Sequence, residues 1–382
     1  MGGDVFRDEF SLAFDGTDEY LDCGDKSDWN FSNGSASIFS LSLWYKCTDT
    51  SPDTFDSLMG KNDTGANKKE WRLSVDGNDK IVFTTSGDGT AVITNTSTFV
   101  VDDTEWHHVV VTYDGSVGTA NLRCKIYVDG NDVMATGNTN NVAVLNEDDA
   151  NLTIGGFLNS GSPSSLWHGN ISDVAIYNSA LTISQVKTIY NGREPYNHKE
   201  GVASNNLKAW WRMGDGVLDT QQTQHEYTGI VCDETNATLG SDLLGGEGNF
   251  SDPSYWNISA GHSVVEDNVG KFLGSGTYGQ INRASIFTTG KMYRADIDCT
   301  SNAGTTVQVN QGDPYPMLVP QGQTGRFHCY FLAKQTYITL YAPTGTYSNA
   351  ATVDNFLIRE VGGNPAALQN YDTTNRFEGD TP

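Results

Sequence analysis

The sequence predicts an all-β protein: two antiparallel β-sandwich (jelly-roll) domains in tandem, with one short helix near residues 182–191. Three observations carry this. Short runs in which apolar and polar residues alternate with a period of two recur along the chain. Clusters of Gly, Asp, Asn and Ser separate them at regular spacing, as in sandwiches and jelly rolls. The 382 residues exceed one comfortable core and suit two domains of ordinary size.

In "SIFSLSLWYKC", Phe39, Leu41, Leu43 and Tyr45 share one face while Ser40, Ser42 and Trp44 share the other. The same alternation appears in "KIVFTT", "WHHVVVTYDG", "RCKIYVDG", "NLTIGGF" and "ISDVAIYN". The pentapeptide VDGND occurs at Val75 to Asp79 and again at Val128 to Asp132, each time leaving a strand. Asp-Gly supplies the positive φ angles of a tight hairpin. A calcium loop is the other reading of those acids, but the spacing of an EF-hand is missing.

The helix is announced by its ends. Thr182 and Gln185 stand in capping-box spacing, Leu181 and Val186 can form a hydrophobic staple, and Gly192 supplies a C-terminal cap. Ile183, Val186, Ile189 and Tyr190 make an apolar stripe, so this helix is expected to cover an open end of the first sandwich as a lid.

Domain boundaries follow from the pattern: a first jelly roll over 1–200, a connector over 201–244, a second sandwich over 245–362 and an extended tail over 363–382. The connector holds one strand-like run, Leu207 to Met213, in which Trp210 and Trp211 face opposite ways, so at least one should dock it against a domain. The second sandwich is read from "KMYRADIDCTS", "TTVQVNQG", "GRFHCYFLAK", "TYITLYAPTG" and "ATVDNFLIREV". The tail is of the kind that needs a neighbour to become ordered.

Composition excludes several classes. Forty-seven acidic against 23 basic side chains give a net charge of -24, with no Lys/Arg stripe to track phosphates, so nucleic acid is not an expected partner. No apolar stretch reaches the roughly 18 residues of a membrane span, and the opening "MGGDVFRDEFSLAF" does not read as a secretory signal, so neither membrane insertion nor export is expected. Six scattered cysteines, without CxxC or Cys/His spacing, are expected to be mostly free core residues.

Taken together, "LAFDGTDEYLDCG", "FSLSLWYKC", "SLMGKND", "EWRLSVDGNDKIVF", "DDTEWHHVVVTYDG", "KIYVDGNDV", "LTIGGF" and "WHGNISDVAIYNSALTISQV" resemble the laminin-G-like, concanavalin A-like jelly-roll family over residues 9–192. Residues 245–362 are similar to β-sandwiches of the carbohydrate-binding-module type, in an "FS...W" opening and a closing "VDNFLIREV". The family fold hosts lectins, adhesins, sialidase accessory domains and virion proteins, so it implies architecture ahead of activity. It also implies a structural calcium ion between the first and last strands, for which Asp15 and Asp173 are the matching carboxylates; the alternative is that both only make turn hydrogen bonds.

Catalytic motifs are absent from the sequence. There is no E-x-D-x-x-E run of the laminarinase kind, no G-x-S-x-G elbow and no glycine-rich phosphate loop. Asp103 and Glu105 beside Trp106 come nearest to an acid/base pair, but they sit in a turn entering a strand. His107 and His108 alternate across that strand, so they cannot chelate one metal together, and one of them is expected in the core with a hydrogen bond. Sugar binding would need exposed aromatics. Tyr337 and Tyr341 share a face with Thr339, and Trp256, Tyr278 and Tyr315 are candidates to join them; packing in a core or interface is the competing reading.

The expected function is non-enzymatic: a structural protein on the surface of a virus particle, such as a bacteriophage capsid decoration, head fibre or tail-associated protein, made in the host cytoplasm. Its expected partners are other virion proteins, further copies of itself in a homo-oligomer, and host surface polysaccharide. The alternative is a glycan-binding adhesin or lectin, and the third reading is an accessory part of a carbohydrate-active enzyme.

Overall fold

The computed structural model describes residues 8–31, 36–48, 56–215, 230–231, 233–235, 237–259, 261–273, 278–310, 317–342, 351–363, 365–369, 377–378 and 381–382. Its secondary structure is almost entirely antiparallel β-sheet, arranged as two sandwiches. No helix among the described residues is long and apolar enough to cross a membrane.

The first sandwich packs an eight-stranded sheet on a ten-stranded one. Ile38–Cys47 is central in the first of these, between Trp106–Asp114 and His168–Tyr177. In the second, Asp56–Asp63, Lys68–Val75, Lys80–Gly89 and Ile93–Val100 form a meander. The alternation read from the sequence is what fills the space between them: Phe39, Leu41, Leu43 and Tyr45 meet Leu73, Val75, Ile81 and Phe83 in one continuous core. Five cysteines, Cys23, Cys47, Cys124, Cys299 and Cys329, are buried free thiols, as expected; Cys232 lies outside the described residues.

The two VDGND copies make different turns. At the second, Asp129 (φ 49°) and Gly130 (φ 74°) both take positive φ and Val128 pairs with Asn131, the tight hairpin expected of Asp-Gly. At the first, Asp79 (φ 59°) is the left-handed residue, and the Asp76 carboxylate accepts from the backbone N–H of Asn78 and Lys80.

Ser40, Ser42 and Trp44 point away from this core yet are at most 2% exposed. A second layer covers them. The helix Ile183–Tyr190 lies on the outer face of the eight-stranded sheet, where Val186 and Ile189 pack with Val110, Tyr127, Ala175, Tyr177 and Trp210. It therefore caps a sheet face, not an open end of the sandwich as expected; the apolar outward residues of His168–Tyr177 and Trp106–Asp114 are what draw it there. Its capping box is complete, with Gln185 N–H donating to Thr182 Oγ1 at 3.3 Å and Thr182 N–H to Gln185 Oε1 at 2.9 Å. Asn191, at φ 50°, takes the cap position assigned to Gly192, which follows with positive φ of its own. Ile183, expected on the apolar stripe, is 40% exposed.

The connector is shared: its first strand belongs to the first sandwich, while Thr238–Leu239 pairs with Ala351–Gly362 and Leu244 enters the core of the second. Leu207–Trp211 adds to the eight-stranded sheet beside Val174 to Tyr177, and its two tryptophans part as the alternation requires: Trp211 enters the sandwich core and Trp210 the outer layer. The second sandwich sets a six-stranded sheet, centred on Ala351–Gly362 and Met292–Asn302, against a five-stranded sheet. Its core includes Phe250, Trp256, Ile281, Ile297, Leu340 and Phe356.

The tail finds its neighbour within the same chain. Ala366–Gln369 lies between Tyr20–Gly24 and the edge strand Ile230–Val231 in the ten-stranded sheet, and Phe377–Glu378 pairs with Ser11–Asp15 at the edge of the eight-stranded sheet. Two strand edges that would otherwise be open are thereby covered.

Candidate functional site

The carboxylates expected to share an ion do not meet. Asp15 ends the strand Ser11–Asp15 opposite His168, so the antiparallel register leaves Asp173 five residues away along its strand, roughly 16 Å at 3.3 Å per residue. Asp173 is 2% exposed and sits with φ 52° at a bulge where the partner strand changes from Ser11–Asp15 to Leu207–Trp211. Its oxygens accept from Trp210 Nε1 and pair with His198 Nε2 at 3.0 Å, and His198 Nδ1 in turn meets the Tyr177 hydroxyl. This is a buried structural network beneath the outer layer.

Asp15 is exposed, and its Oδ1 accepts from Thr17 N–H at 2.7 Å. Asp18 and Glu19 in the same turn bring carboxylate oxygens within 4.8 Å of it. Burial, with the Asp15 carboxylate beside it, raises Glu19 to a pKa of about 7. Three oxygen donors suit a hard cation by chemistry, so the residues that fit calcium here are Asp15, Asp18 and Glu19, with Asp173 excluded by distance.

Both histidines are buried on opposite faces of their strand. His108 bonds Ser42 Oγ at 2.8 Å, and burial, with His198 nearby, lowers its pKa to about 3. His107 joins two turns that the sequence kept apart: Nδ1 lies 2.8 Å from Asp129 and Nε2 lies 3.0 Å from Asp103. Asp103 also accepts from Glu105 N–H at 3.0 Å, the bond of a turn. The imidazole fills the space between Asp103 and Asp129, so this pair of carboxylates does not flank an open cleft.

The aromatic candidates divide. Trp256 is 4% exposed, with its ring 5.1 Å from Phe250, inside the second core; it is a core plug and not part of a sugar platform. Tyr315 lies outside the described residues. Tyr278 and Tyr341 come together on the five-stranded sheet with ring centroids 5.6 Å apart, and Tyr278 is 48% exposed. Alternation in Ile338–Ala342 explains the placement: Ile338, Leu340 and Ala342 enter the core, leaving Thr339 and Tyr341 outward.

Pairing supplies what the sequence could not show. Gln280 and Gln308 flank Tyr341 on either side in one row of the sheet, and Asn282 pairs with Thr339 in a parallel row. Tyr337 is 41% exposed but precedes the strand, four residues and roughly 13 Å from Tyr341, outside the Tyr278–Tyr341 pair. The outcome is a surface with two aromatic rings and the amides of Gln280 and Gln308 beside Tyr341; Thr339, on the same face, is only 5% exposed and its hydroxyl is covered.

No curated protein matches the sequence. Among solved structures, similarity is found to a heptameric SAP-like pentraxin from Limulus polyphemus, at 15% identity over 49% of this chain and 83% of that one with a TM-score of 0.38. A putative carbohydrate binding protein from Bacteroides ovatus ATCC 8483 is 18% identical over 60% of this chain and 56% of that one, with a TM-score of 0.42. The CBM40 of the Ruminococcus gnavus IT-sialidase is 16% identical over 47% of this chain and 97% of that one, with a TM-score of 0.33. Residues 15–187, most of the first sandwich, match the family model of the concanavalin A-like lectin/glucanases superfamily (Laminin_G_3), so this sandwich is lectin-like in fold.

Proposed function

We propose that this chain is a non-enzymatic, lectin-like glycan-binding protein whose sugar-contacting surface is the Tyr278–Tyr341 platform. The observation that carries the reading is the pair of outward tyrosines 5.6 Å apart with Gln280 and Gln308 in the same row. An aromatic face packs against the C–H face of a pyranose while amides bond its hydroxyls, and a few polar groups around an apolar patch are the usual composition of such sites. The lectin-like fold of the first sandwich supports the same class.

Glycan binding thus replaces a structural role on a virus particle as the leading reading. A particle surface, with copies of the chain associated and host polysaccharide as the ligand, is the setting we propose for it. Calcium enters this proposal only at the Asp15 turn, as a structural ion. A melting temperature that does not move between excess calcium and chelator would remove it.

The platform is tested on a glycan array with and without calcium, followed by titration of any hit against Y278A and Y341A. Each variant is expected to weaken binding at least tenfold, about 1.4 kcal/mol. Binding unchanged in both variants would move the site elsewhere, and binding to no glycan at all would overturn the lectin reading.

A further inference from the structure

Where the two sandwiches meet, the chain forms a half-open cavity of about 440 Å³. That is within the range of small-molecule sites, roughly 300–1,000 Å³, which favour domain interfaces. One wall is the edge of the first sandwich, with Asp22, Gly24, Lys26 and Asn151; the other is the second sandwich, with Lys291, Met292, Leu332, Glu360 and Val361. Pro365 and Ala367, at the start of the tail strand, close the end.

The joint is built, not merely a gap. Ala366 is fully buried in the first core, while its neighbour Ala367 packs on Met292, Tyr330 and Val361 of the second sandwich. One strand with a period of two therefore fixes both walls at once. The Asp22 carboxylate is held by Gly24 N–H at 2.9 Å and by Asn151 Nδ2 at 3.0 and 3.1 Å, which aims it and still leaves lone pairs for a ligand. Burial raises its pKa, against the pull of those bonds and of Lys26. Across the cavity Lys291 Nζ pairs with Glu360 at 2.6 Å.

We propose that this inter-domain cavity is a second ligand site, for a neutral mono- or disaccharide. Two carboxylates, Asp22 and Glu360, balance two ammonium groups, Lys26 and Lys291, in a chain whose net charge is -24. Such a lining has no excess charge to recruit an anion and presents donors and acceptors on both walls. Met292, Leu332, Val361 and Pro365 supply apolar contact for the C–H face of a sugar ring. The choice of a sugar rests on the lectin-like reading.

The test is calorimetric titration of the full chain with glucose, galactose, N-acetylglucosamine, maltose, cellobiose and, as an anionic control, sialyllactose. Four proteins are compared: the unaltered chain, the platform variant Y278A/Y341A, D22N, and L332W, which fills the cavity from a position 39% exposed and so spares the core. At least one neutral sugar is expected to bind with a Kd below about 1 mM, to keep its affinity in Y278A/Y341A, and to weaken tenfold or more in L332W. D22N, which keeps the side chain's shape, is expected to weaken the same sugar. Binding that survives L332W and D22N, or no neutral sugar retained by the platform variant, overturns the cavity site. Preference of the cavity for sialyllactose overturns its ligand class. Loss of platform binding alone leaves the cavity standing and defeats only the platform.

Discussion

At the scale of single residues, the polar groups that matter are those whose partners come from far along the chain. His107 is the clearest. Desolvation alone would lower its pKa, but Asp129 and Asp103 on its two nitrogens outweigh burial and raise it; against their own burial, Asp103 is lowered by Glu105 N–H and then His107, and Asp129 by His107 and then His108 N–H. A raised histidine stabilises the fold fully below its unfolded value near 6.5 and loses that contribution as pH rises through the folded value. Lowered carboxylates contribute above about 3.9 and lose it as pH falls through their folded values. The trio should therefore support the fold most between about pH 4 and 6.5. H107Q is expected to flatten the fall in stability between about pH 6 and 8, measured by urea unfolding, and a histidine titrating by NMR below its ordinary value would refute the arrangement. Lys61, fully buried against Glu70, poses a harder case, because removing one partner strands the other charge. K61M should cost about 3–5 kcal/mol, and K61M/E70L much less than the sum of the two single changes.

At the scale of elements, local rules were legible and pairings were not. The strands of both sandwiches, the capping box of Thr182 and Gln185, and the parting of Trp210 from Trp211 follow from periods of 2 and 3.6, which a sequence displays directly. Alternation likewise put Tyr337 and Tyr341 on one face. It could not say that Gln280, on a strand some sixty residues earlier, would pair with Tyr341 and that Tyr278, just before that strand, would bring its ring beside it, nor that Trp256 would turn inward, because register and inter-sheet packing are long-range. Asp15 and Asp173 failed as a pair for the same reason: only the register of their strands sets the distance between them. The outer helix offers a measurable check on the local part. T182A removes one cap bond and should cost about 1 kcal/mol, whereas I189A, on the buried face of the helix, should cost about 2–5 kcal/mol. Equal and negligible losses in denaturant titration would mean that the helix does not hold the outer layer.

At the scale of the whole molecule, one short tail strand touches both sandwiches. Ala366 lies in the first core and Ala367 against the second sandwich, and the same short strand adds backbone bonds to Tyr20–Gly24. A joint of three rungs contributes little area, but it sits where local opening of either domain would expose an edge strand. The unaltered chain is thus expected to melt in a single calorimetric transition. A366D places an unpaired carboxylate in the first core, and a buried charge without a partner costs several kcal/mol, more than so short a strand can return. The strand should then detach, the melt should split into two transitions with the first sandwich the weaker, and the sugar site between the domains should be lost with it. Two transitions already present in the unaltered chain would show that the sandwiches are independent and that the tail strand is only an edge cover.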